Sequence, residues 1–128
     1  AMPTNVLLSI KPHFAQQIFA GTKRFEFRRT LFKERGIKTV IVYASSPICQ
    51  VIGEFDIAGI LELEIAALWE QTHEFAGITR PYFETYFREK QIGFAIHIGA
   101  TRRYSHPLQL ETSFHIQRPP QSFQYISF

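Results

Sequence analysis

Lys23, Glu26 and Arg28 fall inside one run of nine residues, Gly21-Thr22-Lys23-Arg24-Phe25-Glu26-Phe27-Arg28-Arg29. A carboxylate between cations can accept hydrogen bonds from an amino group while the cations hold an anion. Arg28 offers a planar fork that matches phosphate, and Glu26 is an acceptor of the kind that reads a base amine. Lys23 can grip a phosphate or carbonyl oxygen, or act as a base where burial lowers its pKa. Two readings of the trio stay open at this level. Glu26 and Arg28 form either a structural ion pair on one strand face or the wall of a site for a polar, anionic ligand. If the protein is an enzyme, Lys23 and Glu26 take the acid–base roles.

The elements that must hold this trio are legible around it. Val6 to Ile10 reads as a first short strand, and Pro12 opens a helix whose first turn does not need its missing N–H. Phe14, Ala15, Ile18 and Phe19 recur at helical spacing, and Gly21 ends the helix at a backbone position that favours glycine. A second strand follows to about Thr30. Alternation puts Arg24, Glu26 and Arg28 on one face, with Phe25 and Phe27 on the core face. Lys11, between strand and helix, is placed at the same cleft.

Thr39 to Ala44, a continuous β-prone run, reads as a third strand, broken by Ser45-Ser46-Pro47; the two serines add hydroxyls or backbone amides to the candidate site. Gln50 to Ile65 has the longest β pattern. Gly53 and Gly59 within it predict bends or bulges that help a sheet curl into a barrel. Short helices are expected at Ala66–Thr72 and after Thr79, with Pro81 in the first turn of the second. Gly93 to Ile98 reads as a strand, and Pro107 to Leu110 as a last short one. The pattern is α+β: a small mixed barrel of about six strands with two to three short helices.

Composition bounds the function. The chain has 128 residues, 45% hydrophobic and 15% aromatic, enough for a real core. Ala1 before Met2 is read as a cloning remnant, leaving residues 3–128 as one domain. No membrane-spanning run or signal pattern is present, and the one cysteine, Cys49, excludes an internal disulfide framework. A cytoplasmic setting is expected. The net charge is +3. From Lys23 to Lys38, however, seven basic residues face only Glu26 and Glu34. Such a patch favours phosphate contacts, with Lys33 and Arg35 as backbone-binding residues. The five histidines show no metal-ligand spacing, so neither metal nor cofactor is expected. Trp69, Tyr43, Tyr82 and Tyr86 can stack on a base, and Tyr43 is the first choice by its nearness to the cleft strand.

Several blocks then carry a resemblance. Ser9-Ile10-Lys11-Pro12, Gly21-x-Lys23-x-x-Glu26-x-Arg28, Tyr43-Ala44-Ser45-Ser46-Pro47, Gly53-Glu54-Phe55 and Pro119-Pro120-Gln121-Ser122-Phe123 follow in the order typical of ASCH domains. The chain resembles the bacterial and phage single-domain members of that family, within the PUA-like superfamily. The resemblance implies a small barrel with a helix across it. It also implies a cleft lined by the signature residues, and RNA or a modified nucleoside as partner. Some members hydrolyse N4-acetylcytidine with a lysine, a threonine and a glutamate. Lys23 stands at the lysine position, but Glu26 occupies the threonine position, so that nucleophile is missing here. Other members are metal-dependent ribonucleases, and the resemblance does not carry their residues over to this chain. The leading expectation is therefore an RNA-binding module without catalysis, serving transcription- or RNA-linked regulation. A small hydrolase of modified nucleosides or RNA, and a protein-interaction module, are the alternatives.

Overall fold

Alternation along the first strand separates two cores. In the computed structural model, which describes residues 3–127, β1 spans Asn5–Ile10. Val6, Leu8 and Ile10 pack into one buried cluster, and Leu7 packs into another on the opposite face. The cloning-remnant reading of Ala1 concerns a position outside the described residues. Among those residues, no helix is long and apolar enough to cross a membrane.

Helix α1 (Pro12–Ala20) has Pro at its start and Gly21 at its end, with φ +86°. It lays Ala15 and Ile18 on the first core. β2 (Phe25–Arg28), β3 (Thr39–Ala44), β4 (Gln50–Glu64), β5 (Ile92–Leu108) and β6 (Phe123–Ile126) complete one six-stranded mixed sheet. Its order is β2-β5-β4-β3-β1-β6, with β1 and β3 parallel and the other pairs antiparallel. Helices α2 (Ile65–Thr72) and α3 (Arg80–Tyr86), joined through a 3₁₀ turn at His73–Phe75, cover β2 and β5. Leu68, Phe83 and Phe87 meet Phe27 and Ala95 in this third cluster. Thr79 caps α3 by accepting from the Tyr82 N–H at 3.3 Å.

Three features differ from the sequence reading. The sheet is α+β and PUA-like, but it is not closed: β2 and β6 remain edges. Register shifts do occur beside Gly53 and Gly59, as bulges would produce. Arg28 of β2 bonds the Ser9 carbonyl of β1, four places along the strand order, so a side chain rather than a ladder spans the gap. Second, β5 runs unbroken through Thr101–Leu108, because Glu54–Arg102 and Gly53–Arg103 pairing extends its ladder with β4. Pro107 sits near the strand end, and the next residues form a helical turn at Leu110–Phe114. Third, the sixth strand is Phe123–Ile126, paired antiparallel with β1.

Candidate nucleic-acid site

Gly21 sets the geometry of the site. Its left-handed backbone turns the chain so that the Thr22 and Lys23 N–H groups both reach back to the Gln17 carbonyl, at 3.0 and 3.2 Å. Strand alternation therefore begins only at Phe25, and Lys23 is free to point inward. Its side chain is 2% exposed. The ammonium donates to the Ala76 carbonyl at 2.6 Å and lies 4.9 and 5.0 Å from the ring centres of Phe14 and Phe27. Arg24, grouped by alternation with Glu26 and Arg28, instead sits outside the strand, 5.9 Å from the Phe75 ring.

Lys23, Glu26 and Arg28 all line one cavity of about 160 Å³. The end of β1 contributes Ser9 and Ile10, and the start of α1 contributes Lys11 and Phe14. Ile78, Tyr82 and Tyr86 close it from the α3 side. Glu26 is 7% exposed, and its Oε2 lies 3.4 Å from Arg28 Nε. That contact counts as an ion pair by distance, yet Arg28 Nε lacks hydrogen-bond geometry to any acceptor. Arg28 Nη2 donates to the Ser9 carbonyl at 3.2 Å. No Lys23–Glu26 contact falls within ion-pair distance among the described residues. The carboxylate still acts on the lysine through the cavity. Burial pushes the Lys23 ammonium down from 10.5 to about 8, and the charge of Glu26 opposes that fall. Burial also raises the Tyr86 phenol, whose hydroxyl donates to the Phe27 carbonyl at 3.1 Å and ties α3 to β2.

The remaining residues expected at the cleft stand elsewhere. Tyr43 is buried on the opposite face of the sheet with Leu7, Ile41 and Val51, because it follows Ile41 by two along β3. Tyr82 and Tyr86, not Tyr43, are the tyrosines at the cavity; Trp69 packs against Phe83 in the third core. Ser45 and Ser46 lie in the turn after β3, outside the lining, with the Ser45 N–H bonded to the Ile10 carbonyl. Lys33 and Arg35 are exposed on the β2–β3 connection. The Lys33 N–H donates to Tyr125 Oη, and Arg35 stands 3.8 Å from Glu62. Cys49 is a free, exposed thiol. Phe14 and Ile78 were missed as lining residues. Phe14 reads as an ordinary helix core position, and only the fold brings Ile78 to β2. Among the described residues, no group of three or more His, Cys, Asp or Glu is arranged so that it could hold a metal ion.

This is a small α+β domain of PUA-like type, with its charged cleft between β1, β2 and α3. The ASCH domain model matches residues 8–101, and the chain belongs to the ASCH domain family. It is similar to a crystal structure of ASCH from Zymomonas mobilis (24% identity, TM-score 0.86), with 97% of this chain and 88% of that one covered. It is 27% identical over 125 residues to a curated protein of Zymomonas mobilis subsp. mobilis named ASCH domain-containing ribonuclease, covering 94% of this chain and 82% of that protein. A protein of Ureaplasma parvum serovar 3 named Large ribosomal subunit protein uL22 is 25% identical over 122 residues. There the match covers 94% of this chain but only 39% of the relative's length.

Proposed function

We propose that the domain binds single-stranded RNA by seating one amino-bearing base, plain or modified, in the Lys23–Glu26–Arg28 cavity. The observation that carries this reading is the incomplete pairing of buried charges around an open space. Glu26 has acceptor capacity left, and Arg28 Nε has no acceptor of its own. A cytosine or adenine amine would satisfy the carboxylate, and a phosphate or base carbonyl would satisfy the cations. The size also fits. Drug-sized ligands occupy roughly 300–1,000 Å³, so 160 Å³ suits a single base. The rings of Phe14, Phe27, Tyr82 and Tyr86 supply the apolar remainder. Lys33 and Arg35, outside the cavity, would meet the backbone of a longer strand.

Fluorescence anisotropy with labelled C-, A- and U-tract RNA tests this directly. Binding should favour C and A tracts and weaken with salt. Arg28→Ala should lose about 10- to 100-fold in affinity, the range for a charge-assisted hydrogen bond. Equal binding of all tracts by the parent and by Arg28→Ala would sink the assignment.

A second reading is favoured by Lys23 itself. An amine brought down to about 8 is partly neutral near physiological pH and can take a proton. Together with a ribonuclease-named relative, this supports cleavage of the bound strand. Lys23 would accept the 2′-hydroxyl proton as that oxygen bonds to phosphorus to give a 2′,3′-cyclic phosphate, and the departing 5′-oxygen would take its proton from solvent water. Gel analysis of end-labelled RNA checks it: cleavage lost in Lys23→Met supports the reading, and cleavage that survives there removes Lys23 as the base.

A further inference from the structure

The cavity has a neighbour. A second one, of about 320 Å³, opens on the far side of a wall made by Lys11, Phe14, Ile78 and Tyr82, residues that line both. His13, Gly77 and Thr79 line only the second. Tyr82 is 39% exposed, although its ring already packs edge-on against Phe14 with centres 5.7 Å apart. Lys11 is exposed and leans on this ring, with Nζ 3.3 Å from Tyr82 Oη and 5.8 Å from the ring centre. Among the described residues no carboxylate lies within ion-pair distance of Lys11. Its charge is therefore uncompensated, and it sits on the ridge between two spaces.

We infer that the second cavity is a subsite for the adjoining nucleotide of the same strand. Lys11 takes the phosphodiester that crosses the ridge, and Tyr82 offers its exposed ring to the second base. This rests on the reading of the first cavity as a base pocket and extends the ligand from a nucleoside to a dinucleotide step. The chemistry is consistent along the path. The first cavity holds the acceptor that selects an amine, the ridge holds a cation and a stacking ring, and the second cavity carries no carboxylate among its lining residues. A stacking contact tolerates any base, so the second position should discriminate little.

Calorimetric titration with cytidine and with the 2′-O-methyl dinucleotides CpU and UpC tests the subsite. Uracil lacks the amine, which directs cytosine to the first cavity in either dinucleotide. The parent should bind at least one dinucleotide about tenfold or more tighter than cytidine, the gain of a stacked base and one phosphate. In Lys11→Met and in Tyr82→Ala that ratio should fall toward 1, whatever each does to cytidine alone. Lys11→Met should also flatten the dependence of log affinity on log salt by about 0.7, the value for one single-strand phosphate, and Lys11→Arg should restore it. Cytidine binding with no dinucleotide gain, or a gain untouched by both substitutions, overturns the subsite and leaves the base pocket standing. No binding of any of the three probes overturns both.

Discussion

Two clusters of opposite charge stand on this sheet, and they are finished to different degrees. On the outer stretch of β4 and β5, Arg102 Nε donates to Glu54 at 2.8 Å while its two terminal nitrogens reach Asp56 at 3.1 and 2.6 Å. Tyr104 donates to the remaining Glu54 oxygen at 2.6 Å, and Thr39 donates to Asp56 at 3.4 Å. The hydrogen bonds from Arg102 hold the Asp56 carboxyl below its ordinary value, and burial with the Glu54 bond raises the Tyr104 phenol. Every partner is used, and the Arg102 side chain remains 45% exposed. In the cleft the order is reversed. Lys23 and Glu26 are buried and Arg28 is half-buried, yet Arg28 Nε lacks an acceptor and Lys23 makes its hydrogen bond to a backbone carbonyl rather than to Glu26. A surface network that satisfies itself has little to offer a ligand. Buried groups left short of partners at an open cavity are poised to take one.

The comparison predicts its largest effect in the response to pH. Lys23 falls from 10.5 to about 8 on folding. Well below pH 8 it is charged in both states, and the folded state carries the desolvation cost. Between about 8 and 10.5 only the unfolded chain keeps the proton, so the parent should gain stability with rising pH. The full gain is on the order of 3 kcal/mol. Urea denaturation across that window should show the rise in the parent and not in Lys23→Met. Glu26→Gln should move the lower edge of the window down, because the carboxylate no longer favours the ammonium. A parent curve with the slope of Lys23→Met would break the contrast at its base.

Next in size is ligand binding. Glu26→Gln and Arg28→Ala should each weaken C-tract RNA by about 10-fold or more, whereas Arg102→Met should leave it within about twofold. Equal losses in the two clusters would erase the distinction between them. Tyr86→Phe removes the bond to the Phe27 carbonyl and should cost about 1 kcal/mol in stability, read by thermal melting. The smallest effect belongs to the finished cluster. Arg102→Met should cost less than about 1 kcal/mol, since exposed pairs contribute little, and added salt should shrink the difference.

Much of the fold was readable because local chemistry decided it. Pro12 and Gly21 bound α1, Thr79 caps α3, and the β-rich run from Gln50 stays strand to Glu64. Errors arose where distant segments compete. Thr101 to Leu108 lacks a strand's apolar alternation, and its polar residues are held in the ladder by partners some fifty positions away. Leu110, in the last strand expected from sequence, falls in a helical turn. Tyr43 shows the same limit at the site. A tyrosine beside a cleft strand in sequence is placed by pleat parity, which sent it to the opposite face.

The sequence by itself determined that Lys23, Glu26 and Arg28 share one short segment behind a helix-stopping glycine, and that this segment belongs to an ASCH-type pattern. Spacing and backbone preference act within a few residues, so they are legible without a fold. Only the tertiary structure decided that Lys23 turns inward onto the Ala76 carbonyl and that Arg28 reaches across to β1. It also set Tyr82 and Tyr86, and not Tyr43, as the rings of the cavity. Those outcomes depend on desolvation and on contacts between segments up to 71 residues apart, and packing alone brings such segments together.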